Sequence, residues 1–455
     1  MKQLTISPNC HYLTYSDGAP FFYLADTAWE LFHRLDREES ERYLWNRAAK
    51  GFTVIQAVAL AELDGLQAPN AYGTLPLGTD ASGQTDPTQP NEAYFAHIDA
   101  VVDMAEALGL FIGMLPTWGN HWKPRPGAQP IFNRENAAVY GAWIGRRYRD
   151  KPVIWILGGD RNIDTDAEAA VIAAMAQGLR EGDEGRHLIT FHPRGPGLSS
   201  DFLHSAPWLD FNMIQSSHGA RDHDNGLFVE HDYALAPPKP TVDGEPRYET
   251  IPVGFYNADA RRSLRFDAYD VRQAAYWALL AGACGHTYGN NNIWQMWTPD
   301  REPVISASTP WYDALDHPGA FQMGFARKLF ESRPYQRLVP DGSFVLDASL
   351  HGGAKVRGAR AEDGTFAFIY SPCGLPFTVR MSVISSGRVR ASWFDPRYGL
   401  AETIHTSDNR GMQTFTPPTS GRGYDWVLVL DDADQEFPLP GQMEGGRLFL
   451  ALDTS

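Results

Sequence analysis

The sequence predicts an α/β fold, a (β/α)8 TIM barrel followed by a small C-terminal antiparallel β-sandwich, and three observations carry that expectation. Between residues 21 and 290, eight short β-branched or aromatic runs alternate with amphipathic stretches. Most of these runs are nearly continuously apolar before turning polar at their C-terminal ends, as strands buried on both faces should be. After residue 340 helical periodicity disappears, and short alternating runs are bounded by Gly and Pro turns.

The eight runs are Phe21–Thr27, Phe52–Leu60, Leu110–Trp118, Val153–Asp160, Leu188–Pro193, Asp210–His218, Pro240–Pro246 and Gly285–Asn290. Eight βα units in about 270 residues is the size and rhythm of a TIM barrel. Helical patterns fill several gaps. Asn133 can cap a helix in which Val139, Ala142, Trp143 and Arg146 fall at helical spacing, and Pro152 blocks its continuation. A second runs from about Asp270 through Val271, Ala274, Ala275 and Ala278, with Gly282 as its C-terminal stop. Beyond Pro334, Pro340 and the Asp341-Gly342 turn, runs such as Thr365–Tyr370 and Asp425–Leu430 alternate with period two. The expected domains are therefore 1–340, a catalytic barrel, and 341–455, a β-sandwich.

Composition narrows the ligand class. The 455 residues carry a net charge of −16 with no Lys/Arg block, which disfavours nucleic acid or an anionic membrane as partner. Thirteen Trp, 19 Tyr and 24 Phe accompany that acidity, a combination suited to a neutral, ring-shaped ligand such as a sugar. Cys10, Cys284 and Cys373 are odd in number and widely spaced, so they are expected as reduced thiols. No apolar h-region follows Met1 and no run reaches transmembrane length, which gives a soluble, cytoplasmic expectation. Oligomeric state cannot be read from the sequence.

In a TIM barrel the C-terminal strand ends and the loops after them build the active site. Here they supply Asp26 and Trp29, Glu62 and Tyr72, Trp118, Asp160 and Arg161, His192, Gln215 and His218, Glu245, and finally His286, Tyr288 and Trp294. Two carboxylates stand out. Asp160 closes Ile154-Trp155-Ile156-Leu157-Gly158-Gly159-Asp160, and Glu245 sits in Val242-Asp243-Gly244-Glu245-Pro246. Strands four and seven would place them on opposite sides of one mouth, and glycoside hydrolysis requires two such carboxyl groups. Pairing of each acid with its neighbour, Arg161 or Arg247, is the structural alternative. The remaining residues are expected to bind substrate, the tryptophans by stacking on sugar rings. Two rival functions stand beside this one: a carbohydrate-binding barrel without catalysis, and a metal-dependent hydrolase built on His121, His192, His218 and His286. Neither HExxH, a His-x-His on the first strand, a GxGxxG nor a GxSxG elbow occurs at the positions such chemistry requires, and no cofactor is expected.

Several segments resemble the apiosidase-like glycoside hydrolases, family 140. They include Asp26-Thr27-Ala28-Trp29, Val54–Glu62 with Pro69-Asn70-Ala71-Tyr72-Gly73, Leu115-Pro116-Thr117-Trp118-Gly119, Trp155–Asn162, Phe191-His192-Pro193, Asp210–Ser216, Asp243–Glu249 and Gly285–Gly289. The likeness runs in order from about residue 5 to 340. The C-terminal part, with Trp393-Phe394-Asp395-Pro396-Arg397, is similar to the small β-domain that follows the barrel in many members and is named for collagen binding. The resemblance implies a retaining glycosidase in which Asp160 is the general acid/base and Glu245 the nucleophile. It also implies a terminal furanose as the sugar removed, apiose-like or arabinofuranose-like, from plant-derived oligosaccharides.

Overall fold

The computed structural model describes residues 2–346, 349 and 351–442. The last part of the expected sandwich, 443–455, lies outside the described residues.

Eight parallel strands form the heart of the molecule: β1 (Tyr23–Thr27), β2 (Val54–Val58), β3 (Phe111–Leu115), β4 (Val153–Gly158), β5 (Ile189–His192), β6 (Asn212–Gln215), β7 (Thr241–Asp243) and β8 (Gly285–Tyr288). Each falls within one of the apolar runs. Helices follow in turn: α1 (Arg37–Ala49), α2 (Glu92–Ala107), α3 (Arg134–Tyr148), α4 (Asp166–Gly182), α5 (Ser200–Leu203), α6 (Gly226–Tyr233), α7 (Ala268–Leu280) and α8 (Pro318–Glu331). The strands are buried on both faces, with a two-residue period. Val54, Val58, Phe111, Leu115, Ile154 and Ile156 belong to one apolar cluster, and Ile55, Ala57, Ile112, Met114, Val153 and Trp155 to a second. That is why the sequence shows continuous apolar runs rather than alternation.

Local signals set the helix ends. Asn133 and Asn136 form a reciprocal capping pair at the start of α3. Helix α7 begins two residues earlier than the pattern suggests, because Asp267 takes the capping role with Asp270 as its reciprocal partner. Gly282, at φ 105°, ends that segment.

The sheet order is β5-β4-β3-β2-β1-β8-β7-β6, with a short antiparallel strand, Gly197–Leu198, added outside β6. The expected closed barrel is thus observed as a curled, parallel-rich sheet with one seam. Among the described residues no ladder joins β5 to β6, because Gly197–Leu198 occupies the edge of β6 through Gln215 and Ile214. Hydrogen bonds bridge the seam, among them Asp210 N–H to Ile189 O at 2.9 Å, Ile189 N–H to Asp210 Oδ2 at 2.6 Å and Thr190 Oγ1 to Phe211 O at 2.7 Å. A three-stranded antiparallel sheet (Leu4–Ile6, Leu13–Tyr15, Pro20–Phe21) precedes β1, and its Tyr15 and Phe21 rings pack on Phe111. The sequence pattern did not announce this sheet.

From Leu338 onward the chain forms a six-stranded and a three-stranded antiparallel sheet. Alternation divides their side chains. Phe366, Phe368, Tyr370, Val427 and Val429 join the cluster that contains α7 and α8, while Ala367, Ile369, Leu428 and Leu430 pack with Phe377, Val379 and Phe415 of the smaller sheet. Tyr370 stacks on Tyr276 with ring centroids 4.8 Å apart, and two enclosed ion pairs, Arg272–Asp425 and Arg333–Asp431, join the C-terminal sheets to the helices. Among the described residues no helix is long and apolar enough to cross a membrane.

Candidate functional site

A cavity of about 610 Å³ opens where the C-terminal ends of the parallel strands meet their loops, and it is lined by Trp29, Glu62, Trp118, Asp160, Gln215, His218, Glu245 and Trp294 among others. These eight sequence-selected residues come from the C-terminal ends of seven of the eight strands or the loops after them.

The turn after β4 delivers Asp160. Gly158, Gly159 and Asp160 are successive left-handed residues, at φ 92°, 85° and 57°. Only glycine serves at the first two: a Cβ on Gly158 would lie 2.4 Å from His192 O, and one on Gly159 would lie 2.7 Å from Gly119 N. The strand therefore turns sharply against its neighbours and brings the Asp160 carboxyl to the cavity. Arg161 Nη1 donates to Asp160 Oδ2 at 2.6 Å, and its Nη2 to Asn120 Oδ1 at 2.6 Å. The Asp160 N–H donates to His192 Nδ1 at 3.2 Å. Burial, then the neighbouring Glu245 charge, pushes the Asp160 carboxyl above its ordinary value despite the opposing pull of Arg161, His192 and Gln215.

Glu245 is placed by pairing beyond β7. Gly244 and Glu245 both direct their N–H groups to Ile214 O, at 2.8 and 3.3 Å, and Ser217 N–H returns to Glu245 O at 3.2 Å. Three side chains converge on the carboxylate. Gln215 Nε2 donates to Oε1 at 3.0 Å, His218 Nε2 stands 3.1 Å from Oε1, and His192 Nε2 stands 3.1 Å from Oε2. Burial opposes the charge, yet the two histidines prevail and hold this carboxyl well below the usual range. Gln215 also acts on Asp160, so one amide spans the two acids.

Aromatic rings fix the histidines. His192, Trp29 and Trp118 form a triangle of rings, the imidazole 5.5 and 6.3 Å from the two indoles and the indoles 5.4 Å apart. His218 meets the Tyr248 ring edge-on at 4.7 Å. The Trp118 Nε1–H, the Gln215 Oε1 and the His218 Nδ1 are buried without a protein partner, so polar capacity is left for a ligand. Glu62 adds a third carboxyl to the cavity; burial and then the charges of Glu30, Asp160 and Glu245 push it up to about 8.

Not every selected residue reaches the cavity. Asp26 is fully buried, where it accepts from Tyr43 Oη and Arg47 Nε, each at 2.6 Å. Tyr288 is enclosed and donates to Glu249 Oε2 at 2.6 Å. His286 points into the packed interior, where burial lowers its pKa to about 3. Tyr72 is half exposed, accepts the Arg37 N–H and packs against His97. Arg161 and His192 act through Asp160 and Glu245 rather than as cavity wall. Of the four histidines weighed as metal ligands, His192 and His218 meet at Glu245, while His121 bonds to Ala61 O and His286 stays in the interior.

The sequence reading missed Arg194, Ser217, Tyr248, Ile251, Phe255, Tyr256 and Ile305 as cavity residues. Tyr248, three positions beyond Glu245, and the Phe255-Tyr256 pair after Pro252 and Gly254 carried a legible signal. Ile305 carried none.

The family model described as "Apiosidase-like, catalytic domain" matches residues 7–337, and that described as "Putative collagen-binding domain of a collagenase" matches 339–431. A solved structure titled "Glycoside hydrolase" is 33% identical, with a TM-score of 0.86 over 96% of this chain and 98% of its own. A glycoside hydrolase family 5 protein from Bacteroides vulgatus ATCC 8482 is 31% identical, with a TM-score of 0.86 over 96% and 95% of the two chains. No curated protein matches the sequence. With its catalytic domain matched from residue 7 to 337 and full-length structural relatives that are glycoside hydrolases, this chain belongs to the apiosidase-like family and is a glycoside hydrolase.

Proposed function

We propose that the cavity is the mouth of a (β/α)8-type barrel in which Asp160 and Glu245 cleave a terminal glycosidic bond with retention of anomeric configuration. The observation that carries the reading is the opposite treatment of two neighbouring carboxyls. His192 and His218 hold the Glu245 carboxyl down, whereas burial and the Glu245 charge push that of Asp160 up. That division suits a double displacement.

In the first step the Glu245 carboxylate attacks the anomeric carbon while the Asp160 proton passes to the leaving glycosidic oxygen. In the second, ionised Asp160 takes a proton from water, whose oxygen displaces Glu245 and frees the sugar. Trp29, Trp118 and Trp294 offer ring faces to the sugar, and Glu62, Gln215 and His218 offer hydroxyl partners. The substrate class that the resemblance implies, a terminal furanose such as apiose or arabinofuranose on a plant-derived oligosaccharide, is the one proposed.

The deciding experiment is a screen of aryl and oligosaccharide furanosides and pyranosides, with the anomer of the first-formed product read by NMR. Retention with loss of turnover in Glu245→Gln is the expected result. First-formed product of inverted configuration, or wild-type turnover in that variant, would refute the double displacement.

A further inference from the structure

Part of the cavity wall is apolar and comes from the loops after β7 and β8, the first of which also carries Glu245. Asp160, Arg194, Gln215 and His218 follow β4, β5 and β6, whereas Ile251, Phe255, Trp294 and Ile305 belong to the loops after β7 and β8. Those two loops contain four left-handed residues that are not glycine: Thr250 (φ 68°), Met296 (φ 45°), Ile305 (φ 49°) and Ser306 (φ 57°). For a β-branched residue this conformation is a genuine outlier, and it persists only where the surroundings over-determine it.

Here they do. Asn291 Nδ2 donates to Ile305 O at 2.9 Å, and the Gln295 amide bonds both the N–H and the carbonyl of Val304 at 2.9 Å. The Arg265 guanidinium donates to Thr250 O at 2.6 Å and to Ser306 O at 2.8 Å, which ties the two loops together. Glycine or asparagine would adopt the same turn at less cost. What isoleucine adds at this position is its side chain, which lines the cavity with that of Trp294. The same Asn291 accepts the Trp294 Nε1–H at 3.2 Å, so one amide sets both walls.

We propose that Ile305 is a specificity-determining residue, an apolar wall held by Asn291 and Arg265 against the apolar face of the substrate. That face belongs to an aromatic aglycone or to the C–H side of a deoxy sugar. The proposal rests on the cavity being the glycosidase site.

The test compares wild type with Ile305→Gly and Ile305→Asn in thermal melts and in steady-state kinetics on a 4-nitrophenyl glycoside, the matching methyl glycoside and a deoxy-sugar methyl glycoside. Both variants are expected to melt at or above wild type, because the left-handed turn no longer carries a β-branched residue. KM is expected to rise about tenfold or more where the apolar face is present, with kcat changed less than twofold. A loss confined to the aryl glycoside identifies the aglycone; one confined to the deoxy glycoside identifies the sugar face. Wild-type KM on all three substrates, whatever the melting temperature, overturns the proposal and makes Ile305 a packing residue. Glu245→Gln run in parallel separates the two readings. If it is inactive while both Ile305 variants behave as wild type, only the wall is wrong; if it turns over normally, the site itself is misassigned.

Discussion

His192 Nε2 lies 3.1 Å from Glu245 Oε2, while its Nδ1 accepts the backbone N–H of Asp160. The second contact sets the first: with Nδ1 accepting, the neutral ring carries its proton on Nε2, facing the carboxylate. One imidazole thus reads the position of the acid's backbone and stabilises the charge of its partner.

Removal of that imidazole therefore has a signed consequence for pH dependence. The histidines hold Glu245 below its ordinary value, and in the proposed double displacement the carboxylate is the active form, so activity is lost only as pH falls through that depressed pKa. In His192→Ala the pKa rises and the acid limb of kcat/KM moves to higher pH. A hydrogen bond to a charged group contributes about 1.5–3 kcal/mol, which corresponds to about 1–2 pH units. An acid limb that stays where it was would remove His192 from this role.

Asp160 makes the complementary prediction. As proton donor it matters most when the leaving group is poor, so Asp160→Ala should lose about 10²–10⁴-fold in kcat on an alkyl or sugar leaving group. On a dinitrophenyl glycoside, which needs no protonation, the loss in the first step should be small, and azide should restore turnover. Because the carboxyl is pushed up, it keeps its proton to higher pH than a free aspartic acid, and Asp160→Asn should abolish the basic limb set by its ionisation. Equal losses on good and poor leaving groups would count against general acid catalysis.

Glu62 tests the electrostatics through stability. An unfolded glutamate releases its proton near pH 4.5, whereas folded Glu62 keeps it to about 8. The folded state binds the extra proton, so this group's contribution turns increasingly unfavourable as pH rises from about 4.5 to about 8 and then levels off. Glu62→Gln, neutral throughout, should match wild type at pH 4.5 and melt higher at pH 8, by no less than the roughly 2–4 °C that 1 kcal/mol gives a large domain. Thermal melts of both proteins across that range decide it; a constant gap would mean that burial and like charges do not perturb this group.

The eight parallel strands were legible because both faces are buried, which leaves long apolar runs that no alternating pattern could obscure. Asp160 was legible for a local reason, the two glycines before it, since only glycine tolerates the approach to His192 O and Gly119 N. The seam between β5 and β6 was not, because it depends on a two-residue strand, Gly197–Leu198, too short to have a pattern. Ile305 was invisible because its conformation is imposed by Asn291, Gln295 and Arg265 from other parts of the chain. Asp26 and Asp160 show the same limit within one residue type. Both end a strand; what separates them is Arg47 on α1, which fills the space beside Asp26 and makes it part of the packed interior.

That separation yields a prediction in which stability and substrate affinity part company. The Asp26–Arg47 pair is enclosed, both side chains having 0% exposure, with Arg47 Nη1 also donating to Leu315 O at 2.9 Å and its guanidinium over the Tyr43, Phe52 and Tyr288 rings. Taking away one member leaves a buried charge without its counter-ion, a loss of about 3–5 kcal/mol. Asp26→Ala should therefore unfold at markedly lower temperature or denaturant, while the folded enzyme keeps a KM within about twofold of wild type. Replacing both members with apolar residues of similar size, Asp26→Leu with Arg47→Met, should recover most of the lost stability, because the unpaired charge and not the missing contact is the source of the cost. A tenfold rise in KM with unchanged stability would instead return Asp26 to the substrate.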